Sequence, residues 1–322
     1  MPQGKKPPPI DYDAWDLVVS ASQLETAELC TRKWWLKSCC KQPEVDKGYQ
    51  KFGNAMHSVL ERHLEADDTG RGPDGKPVDP WFPGWDIGLS PLEADLMRRL
   101  FDLGIKEGLI ERVPGRQIEE PFAAPVIDDE QSKVAIIGYI DLLAPLQVQD
   151  HKTTKDRRWV KSRDALKRNI QMLVYAAVAL GRAVQSGQLA EADCATAKVT
   201  LRHNAYVKDP KKPRAIRVEN EVTGAEVERF WEEDLKPRCL EMLKWAKQNL
   251  KPDDWRKVAG PADESEACNA FGGCPYLTIC SGAESPAEHR TRVDQINDGS
   301  YKILPAIPSP AIQGASPVGT SI

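Results

Sequence analysis

The sequence predicts a mixed α/β (α+β) protein with one sizeable folded domain. Between residues 117 and 152, three segments of β-branched or alternating residues predict successive strands. Segments with helical spacing precede and follow these strands. Hydrophobic residues make up 41% of the 322 residues, which is enough to form a core. We therefore expect a central mixed β-sheet flanked by helices, with additional helices outside it.

Three helices are expected before these strands. Ser22 and Glu25 form a capping box that opens the first helix, over residues 22–37. Residues 52–65 place apolar side chains on one stripe, as an amphipathic helix does. A Ser-Pro-x-Glu start signal opens the third helix, over residues 90–108.

The rest of the pattern alternates between strands and helices. Strands are expected over residues 117–127, 133–143, 146–152, 197–207 and 215–218. Helical spacing returns over residues 168–182. A capping box of Thr223 with Glu226 opens a last helix over residues 223–250, which Pro237 should kink or divide.

The two ends of the chain have compositions that disfavour a packed core. Residues 1–16 are rich in Lys and Pro, and residues 285–322 are rich in Pro, Ser, Ala and Gly. We expect both ends to be disordered and residues 17–284 to form the folded domain. The longest apolar run, residues 172–180, is shorter than the roughly 20 residues of a transmembrane helix, and no secretory signal is recognisable. We expect an intracellular, cytoplasmic protein.

The formal net charge of −4 excludes a uniformly basic coat for nucleic acid, but one segment is basic. Eight Lys or Arg lie within residues 152–168, against two Asp. Four side chains of this segment are candidate contacts for nucleic-acid phosphates: Lys155, Arg157, Arg158 and Lys161. A solvated charged face is the competing interpretation. Trp159, Trp34 and Trp35 are candidates for stacking on unpaired bases or for the core.

Two aspartates on neighbouring predicted strands are the strongest candidates for chemistry. Asp150 and Lys152 project from one face of their strand and His151 from the other, because alternate side chains share a face. If Asp141 lies on the adjacent antiparallel strand, its carboxylate approaches that of Asp150. Two carboxylates repel each other unless a cation lies between them, and oxygen ligands suit Mg²⁺ or Mn²⁺. Lys152 would orient the attacking water or stabilise the phosphate. A surface hairpin with ordinary salt bridges is the competing interpretation.

The sequence Gly-Tyr-Ile-Asp at 138–141, followed by Asp-His-Lys-Thr at 150–153, resembles the active-site hairpin of the PD-(D/E)XK nuclease superfamily. It is similar to the RecB-like exonucleases, a branch that includes CRISPR adaptation nucleases and phage exonucleases. Three further segments match this branch in the required order: Ser20 to Cys30, Gly53 to His57, and Gln171 to Tyr175. The resemblance implies a restriction-endonuclease-like core.

The resemblance also implies a metal site. It makes His57 a ligand of Mg²⁺ or Mn²⁺ together with Asp141 and Asp150. Taken alone, a histidine beside an apolar helix stripe is equally an ordinary core or surface residue. Glu119 and Glu120 compete for the place of a further acid on the strand before the hairpin.

Gln171 and Tyr175 complete the catalytic set that the resemblance implies. They are one helical turn apart and share a face, which helix packing alone would also explain. The resemblance places Gln171 at the edge of the active site and Tyr175 near the nucleic-acid backbone. The implied catalytic residues are Asp141, Asp150, Lys152, Gln171 and Tyr175.

Three of the eight cysteines are evenly spaced near the end of the predicted domain, at positions 268, 274 and 280. In a reducing compartment, thiols of this kind favour metal ligation over disulfides. The resemblance supplies Cys30 as a fourth ligand and a [4Fe–4S] cluster as the group they hold, and Zn²⁺ is the alternative. The adjacent Cys39 and Cys40 compete with Cys30 for this place.

Together, these features predict a metal-dependent DNA exonuclease that acts on single-stranded ends in recombination, repair or phage DNA processing. A non-catalytic DNA-end-binding subunit is a second hypothesis, and a zinc-stapled binding module is a third. The sequence has no P-loop of the G-x-x-x-x-G-K-[ST] form, so DNA unwinding would need a helicase partner.

Overall fold

The computed structural model describes residues 10–45, 49–72, 74–261, 268–269, 273–298 and 300. The strands are β1 (Leu17–Ser20), β2 (Gln117–Asp128), β3 (Lys133–Ala144), β4 (Gln147–Thr154), β5 (Lys198–Val207) and β6 (Arg214–Thr223). The described α-helices are α1 (Ala21–Leu29), α2 (Thr31–Trp34), α3 (Tyr49–Glu65), α4 (Pro91–Lys106), α5 (Arg163–Lys167), α6 (Ile170–Gln185), α7 (Gly224–Phe230), α8 (Lys236–Lys247), α9 (Leu277–Cys280) and α10 (Pro286–Asn297). None of these helices combines the length and the apolar character of a membrane span.

A six-stranded mixed sheet forms the centre of the fold. The strand order is β1-β3-β4-β5-β6, and β2 pairs with the other edge of β3. The β1–β3 and β4–β5 pairs are parallel, and the other pairs are antiparallel. The predicted fold class is confirmed, as are the five predicted strands. The sheet also contains β1, which the sequence analysis did not assign.

The two edges of β3 are occupied differently. β2 pairs along nearly the whole of one edge. The other edge is shared, because β1 pairs with residues 134–137 and β4 with residues 142–144. Residues 138–141 therefore have no strand partner on that edge, in a stretch where the structure describes every residue. We call this interruption the sheet gap.

Helices cover both faces of the sheet. On one face, α6 packs against α1 and α7 over a core that includes Val148 and Leu201. On the other face, α3 and α4 pack over Leu142 and Tyr206. Because side chains alternate along a strand, Asp150 and Lys152 of β4 lie on the Val148 side.

The first helical segment differs from its prediction at both ends. Ser20, not Ser22, caps α1, and Gln23 completes the capping box. Ser20 ends β1 with extended backbone, which is the conformation that an N-cap residue needs. The helix then stops at Cys30, whose φ of −166° separates α1 from α2.

The predicted helix over residues 223–250 is present, with an irregular turn within it. Thr223 and Glu226 form the predicted capping box of α7. A π-helical turn over Trp231–Leu235 separates α7 from α8, and Pro237 lies in the first turn of α8. Phe230, Leu235 and Lys236 all keep right-handed helical backbone, so the chain stays helical across this turn. The irregularity expected at Pro237 is thus a π-helical interruption just before it rather than a break between two helices.

The folded region extends beyond residue 284. Residues 286–297 form α10, which opens with a capping box of Ser285 and Glu288 and buries His289 and Val293. The expectation of an unpacked tail is therefore wrong for these residues, because a capped helix can bury a few side chains even within a mostly polar segment. Residues 1–9 and 301–322 of the two expected disordered ends lie outside the described residues.

Candidate active site

The sheet gap opens into a cleft of about 340 Å³. The cleft is bounded by the junction of β1 with α1 and by residues of α3, β3, β4 and α6. It contains five of the site residues expected from the sequence, namely His57, Asp141, Lys152, Gln171 and Tyr175. The gap thus places these residues at one opening of the sheet.

Three side chains in this cleft converge as a cation site requires. Nδ1 of His57 lies 3.6 Å from Oδ1 of Asp141 and 3.7 Å from Oε1 of Glu119. One potential ligand atom from each of the three lies within 4.8 Å of the others. An imidazole and two carboxylates are ordinary ligands of divalent cations. These residues fit a Mg²⁺ or Mn²⁺ ion, and we call them the acidic triad.

Glu119 reaches the cleft through an uncommon backbone conformation. Its φ of 49° is in the left-handed region, which residues other than glycine adopt at a cost. The register of β2 and β3 places Glu119 opposite Asp141. The neighbouring Glu120 instead pairs with Arg182 at 3.0 Å. Of the two competing acids, Glu119 is the one that faces His57.

The pKa values within the triad reflect crowded negative charge. Burial alone would lower the pKa of His57, but Asp141 and Glu119 raise it above its ordinary value. Burial raises the pKa of Asp141, and the charge of Asp150 adds to this effect. Oδ2 of Asp141 accepts a hydrogen bond of 2.7 Å from the backbone N–H of His151. A cation among these carboxylates would relieve their mutual repulsion.

As expected, Asp150 lies on β4, which is antiparallel to β3 and so to Asp141. Its carboxylate oxygens contact donor groups of neighbouring side chains. Its Oδ1 accepts from Nζ of Lys152 at 2.8 Å and from Nε2 of Gln171 at 3.2 Å. Its Oδ2 lies 3.2 Å from Nδ1 of His203. Burial would raise the pKa of Asp150, but Lys152 and His203 outweigh burial and hold that pKa well below its usual range. Asp150 is therefore an ionised carboxylate beside the triad.

Gln171 and Tyr175 share a face of α6 and join this helix to the sheet gap. Nε2 of Gln171 donates to the hydroxyl of Tyr175 at 2.6 Å. The Tyr175 hydroxyl donates to the backbone carbonyl of Tyr139 at 2.7 Å. Tyr139 is one of the β3 residues without a strand partner on that edge, so Tyr175 bonds a carbonyl inside the gap.

His203 is the site residue that the sequence analysis missed entirely. It lies on β5, directly across from Asp150 in the β4–β5 register. Parallel neighbours are far apart in sequence, and no local pattern encodes their register. His151, by contrast, lies on the opposite face as expected, with Nδ1 3.0 Å from the Tyr206 hydroxyl, and burial lowers its pKa to about 3.

The predicted phosphate contacts do not lie together. Lys155 and Arg157 line a second cleft, of about 270 Å³, with Lys212 before β6 and Arg214 at its start. Two acids, Asp156 and Asp209, also line this cleft, against the four cations. Arg158 instead pairs with Asp156 at 3.1 Å. Lys161 lies 3.8 Å from Glu25. We call the group of Lys155, Arg157, Lys212 and Arg214 the basic cleft.

The candidate stacking tryptophans also separate into two kinds. Trp34 and Trp35 are each 1% exposed and belong to the core. Trp159 is 47% exposed, and the Arg158 guanidinium lies 5.9 Å from its ring centroid. Of the three, only Trp159 is accessible to a base.

Four cysteines line one cavity of about 200 Å³ between α2 and α9, namely Cys30, Cys268, Cys274 and Cys280. Cys39 and Cys40 do not line this cavity. Burial raises the pKa of the Cys30, Cys274 and Cys280 thiols. Among the described residues, no three thiols lie within 4.8 Å of one another. We call these four residues the cysteine cavity.

Comparison with known proteins identifies the family. No curated protein matches the sequence. One matching solved structure, described as "Crystal structure of SSO0001", has 10% identity and a TM-score of 0.33, over 82% of this chain and 85% of that chain. The sequence profile of the PD-(D/E)XK nuclease superfamily matches residues 18–281, which include the cleft and all of the sheet except Leu17. The chain belongs to the PD-(D/E)XK nuclease superfamily, with a restriction-endonuclease-like core, and this membership implies metal-dependent phosphodiester hydrolysis.

Proposed function

We propose that this protein is a divalent-metal-dependent DNA exonuclease whose active centre is the cleft at the sheet gap. The observation that carries the proposal is the convergence of the acidic triad with the Asp150–Lys152 pair. His57 and Asp141 would hold the Mg²⁺ or Mn²⁺ ion with Asp150, as expected from the sequence, and Glu119 would be a further ligand. A bound ion of this kind polarises the scissile phosphate and lowers the pKa of the attacking water.

Lys152 supplies the positive charge next to this centre. Its side chain is 44% exposed and lines the cleft, while its Nζ contacts the buried Asp150 at 2.8 Å. Burial would lower the pKa of Lys152, but Asp150 and Asp141 raise it, so the ammonium stays charged. In this position Lys152 orients the attacking water and stabilises the negative charge that develops on the phosphate. Gln171 keeps Asp150 in place through its 3.2 Å hydrogen bond.

The DNA strand would be held by its phosphates. The basic cleft follows the end of β4 and combines cations from two segments of the chain. Cations that contact phosphates fix the position of a strand without reading its sequence. The exposed Trp159 supports binding of single-stranded ends, on whose bases it could stack. The role that we propose for this activity is recombination, repair or phage DNA processing.

The test of the proposed activity uses end-labelled single- and double-stranded DNA with Mg²⁺, Mn²⁺ or EDTA. Asp150→Ala and Lys152→Ala should each abolish the release of labelled nucleotides that the unmodified protein shows with metal. Lys133→Ala is the matched control, because Lys133 forms an exposed Asp–Lys pair on the turn between β2 and β3. Equal degradation by all four proteins would refute the site, and metal-independent DNA binding without cleavage would indicate a DNA-end-binding subunit.

The cysteine cavity would hold a [4Fe–4S] cluster that joins the start of the domain to its end. The four thiols line one cavity of about 200 Å³, and four thiolates are the ligand set of a [4Fe–4S] cluster and also of tetrahedral zinc. Hydrolysis transfers no electrons, so the cluster would be structural, and ligation that spans more than 200 residues restricts the unfolded chain.

Elemental analysis and visible absorbance of anaerobically purified protein test this assignment. Cys30→Ser and Cys274→Ser should lose iron and the brown colour, whereas Cys39→Ser should keep both. Stoichiometric zinc in colourless protein would replace the iron assignment with a zinc site.

A further inference from the structure

His203 and Asp150 form a buried pair on adjacent strands. The parallel register of β4 and β5 places the two residues side by side. Asp150 is 2% exposed and His203 is 4% exposed. Nδ1 of the imidazole lies 3.2 Å from Oδ2 of the carboxylate. The pair therefore lies under the cleft rather than in it.

The donors around Asp150 determine which way its carboxylate points. An ionised carboxylate only accepts hydrogen bonds, so Nδ1 of His203 carries the proton that lies between them. With Oδ2 fixed in this way, Oδ1 is directed to Lys152 and Gln171. Without His203, Oδ2 would be a buried oxygen with no donor from β5, and the carboxylate would turn to find another partner.

We propose that His203 is a positioning residue, which holds Oδ2 of Asp150 and so fixes the direction in which Oδ1 and Lys152 face the cleft. This inference rests on the proposed nuclease function. Among the described residues, His203 forms its polar contact with Asp150 and none with the acidic triad, so it acts through Asp150. Removal of a group that orients a metal-site carboxylate typically lowers metal affinity or activity by about 10–100-fold.

Two substitutions of His203 separate positioning from packing. His203→Leu fills the space but cannot donate, whereas His203→Asn keeps an N–H donor near the place of Nδ1. Val199→Ala is the control for lost stability, because Val199 is fully buried on the same face of β5 and contributes no polar group. The measurements are the Mn²⁺ dissociation constant by calorimetry without DNA, kcat and KM on single-stranded DNA, and Tm.

We expect His203→Leu to lower kcat by about 10-fold or more and to weaken Mn²⁺ binding, with little change in KM for DNA. His203→Asn should recover most of both losses. Val199→Ala should lower Tm and leave Mn²⁺ binding and kcat unchanged. If His203→Leu lowers only Tm, as the control does, the positioning role is refuted while the nuclease function stands. If the unmodified protein neither binds Mn²⁺ nor cleaves DNA, the proposed function fails and the role of His203 fails with it.

Discussion

At the residue scale, Glu119 and Glu120 show how one backbone angle decides the role of a side chain. Both are glutamates on β2, and they differ by one position. The left-handed φ of 49° at Glu119 accompanies a side chain that faces His57, while Glu120 pairs with Arg182. A strained conformation of this kind persists only where the surrounding structure holds it.

The two glutamates allow a matched test of the acidic triad. Glu119→Gln removes a carboxylate charge from the triad, so Mn²⁺ affinity should fall by about 10-fold or more. Glu120→Gln removes the same charge outside the cleft and should leave Mn²⁺ affinity unchanged. Calorimetric titration of each protein with Mn²⁺ distinguishes the two. Equal affinities for both variants would exclude Glu119 as a ligand.

Part of this site could be predicted from sequence, and the rest depends on distant contacts. Asp141, Asp150 and Lys152 lie in a hairpin of consecutive strands, so local spacing sufficed for their placement. The choice between Glu119 and Glu120 depends on a backbone angle, and the place of His203 depends on the register of two distant strands. Neither is encoded in a local pattern.

Gly138 occupies a position in β3 where packing requires a glycine. A glycine in a strand marks a place where another group approaches the backbone closely. In the structure, a Cβ at Gly138 would lie 2.8 Å from the ring of Phe122, its cross-strand partner. The glycine therefore makes room for a core aromatic ring beside the sheet gap.

At the scale of elements, two of the three capping signals begin helices at the predicted residues. The boxes at Ser90 and Thr223 begin α4 and α7 as predicted. The first helix was misplaced because two overlapping patterns, at Ser20 and at Ser22, both fit a cap. Only the end of β1 at Ser20 decides between them, and this four-residue strand forms through its pairing with β3.

Two helical glycines should respond oppositely to substitution by alanine. Gly181 lies within α6, and a Cβ there would meet no atom within 4 Å, so Gly181→Ala should stabilise the protein by about 0.5–1 kcal/mol through helix propensity. At Gly224, a Cβ would lie 1.9 Å from the carbonyl oxygen of Cys194. Gly224→Ala should destabilise by about 1–3 kcal/mol. Urea unfolding measures both, and a shift of the same sign in the two variants would contradict this reasoning.

Helix α10 offers a test of the folded region beyond residue 284. The Ser285 hydroxyl accepts from the backbone N–H of Glu288, so Ser285→Ala should cost about 1 kcal/mol of unfolding free energy. Thr291→Ala, on the exposed side of the same helix, is the control and should cost less. Thermal unfolding followed by circular dichroism reports the difference. No change in Tm for Ser285→Ala would show that α10 contributes nothing to global stability.

At the scale of the whole molecule, contacts between the two ends of the chain surround the cysteine cavity. His289 of α10 lies 3.2 Å from the carbonyl of Pro43, and Arg290 donates to the carbonyl of Lys41 at 2.8 Å. The Tyr276 hydroxyl donates to the carbonyl of Gln42 at 3.0 Å. These contacts keep Cys30 and the residues around α9 together. Local sequence patterns could not show that residues 41–43 and 276–290, which are more than 230 positions apart, lie in contact.

The uneven charge of the molecule predicts how DNA binding depends on salt. With a net charge of −4, the protein would bind DNA through local cations such as those of the basic cleft, as we propose. Each phosphate contact contributes a slope of about −0.7 to the dependence of log K on log salt for single strands. The double variant Lys155→Ala/Arg157→Ala should therefore have a slope shallower by about 1.4.

Fluorescence anisotropy of labelled single-stranded DNA over a range of salt concentrations measures this slope. The double variant Lys76→Ala/Lys198→Ala removes two exposed lysines that do not line the basic cleft and is the control. Equal slopes for the two double variants would show that Lys155 and Arg157 of the basic cleft do not contact the DNA phosphates.

The shortness of β1 has a consequence for how this fold can change. β1 stops at Ser20 because the chain turns there into α1. An insertion that prolonged β1 by a few residues would let its hydrogen-bonded ladder continue along β3. The longer strand would then bond the Tyr139 carbonyl in place of Tyr175 and fill the sheet gap. Variation in the length of this one strand is thus a simple route by which a descendant of the protein could keep its scaffold and lose the proposed active site.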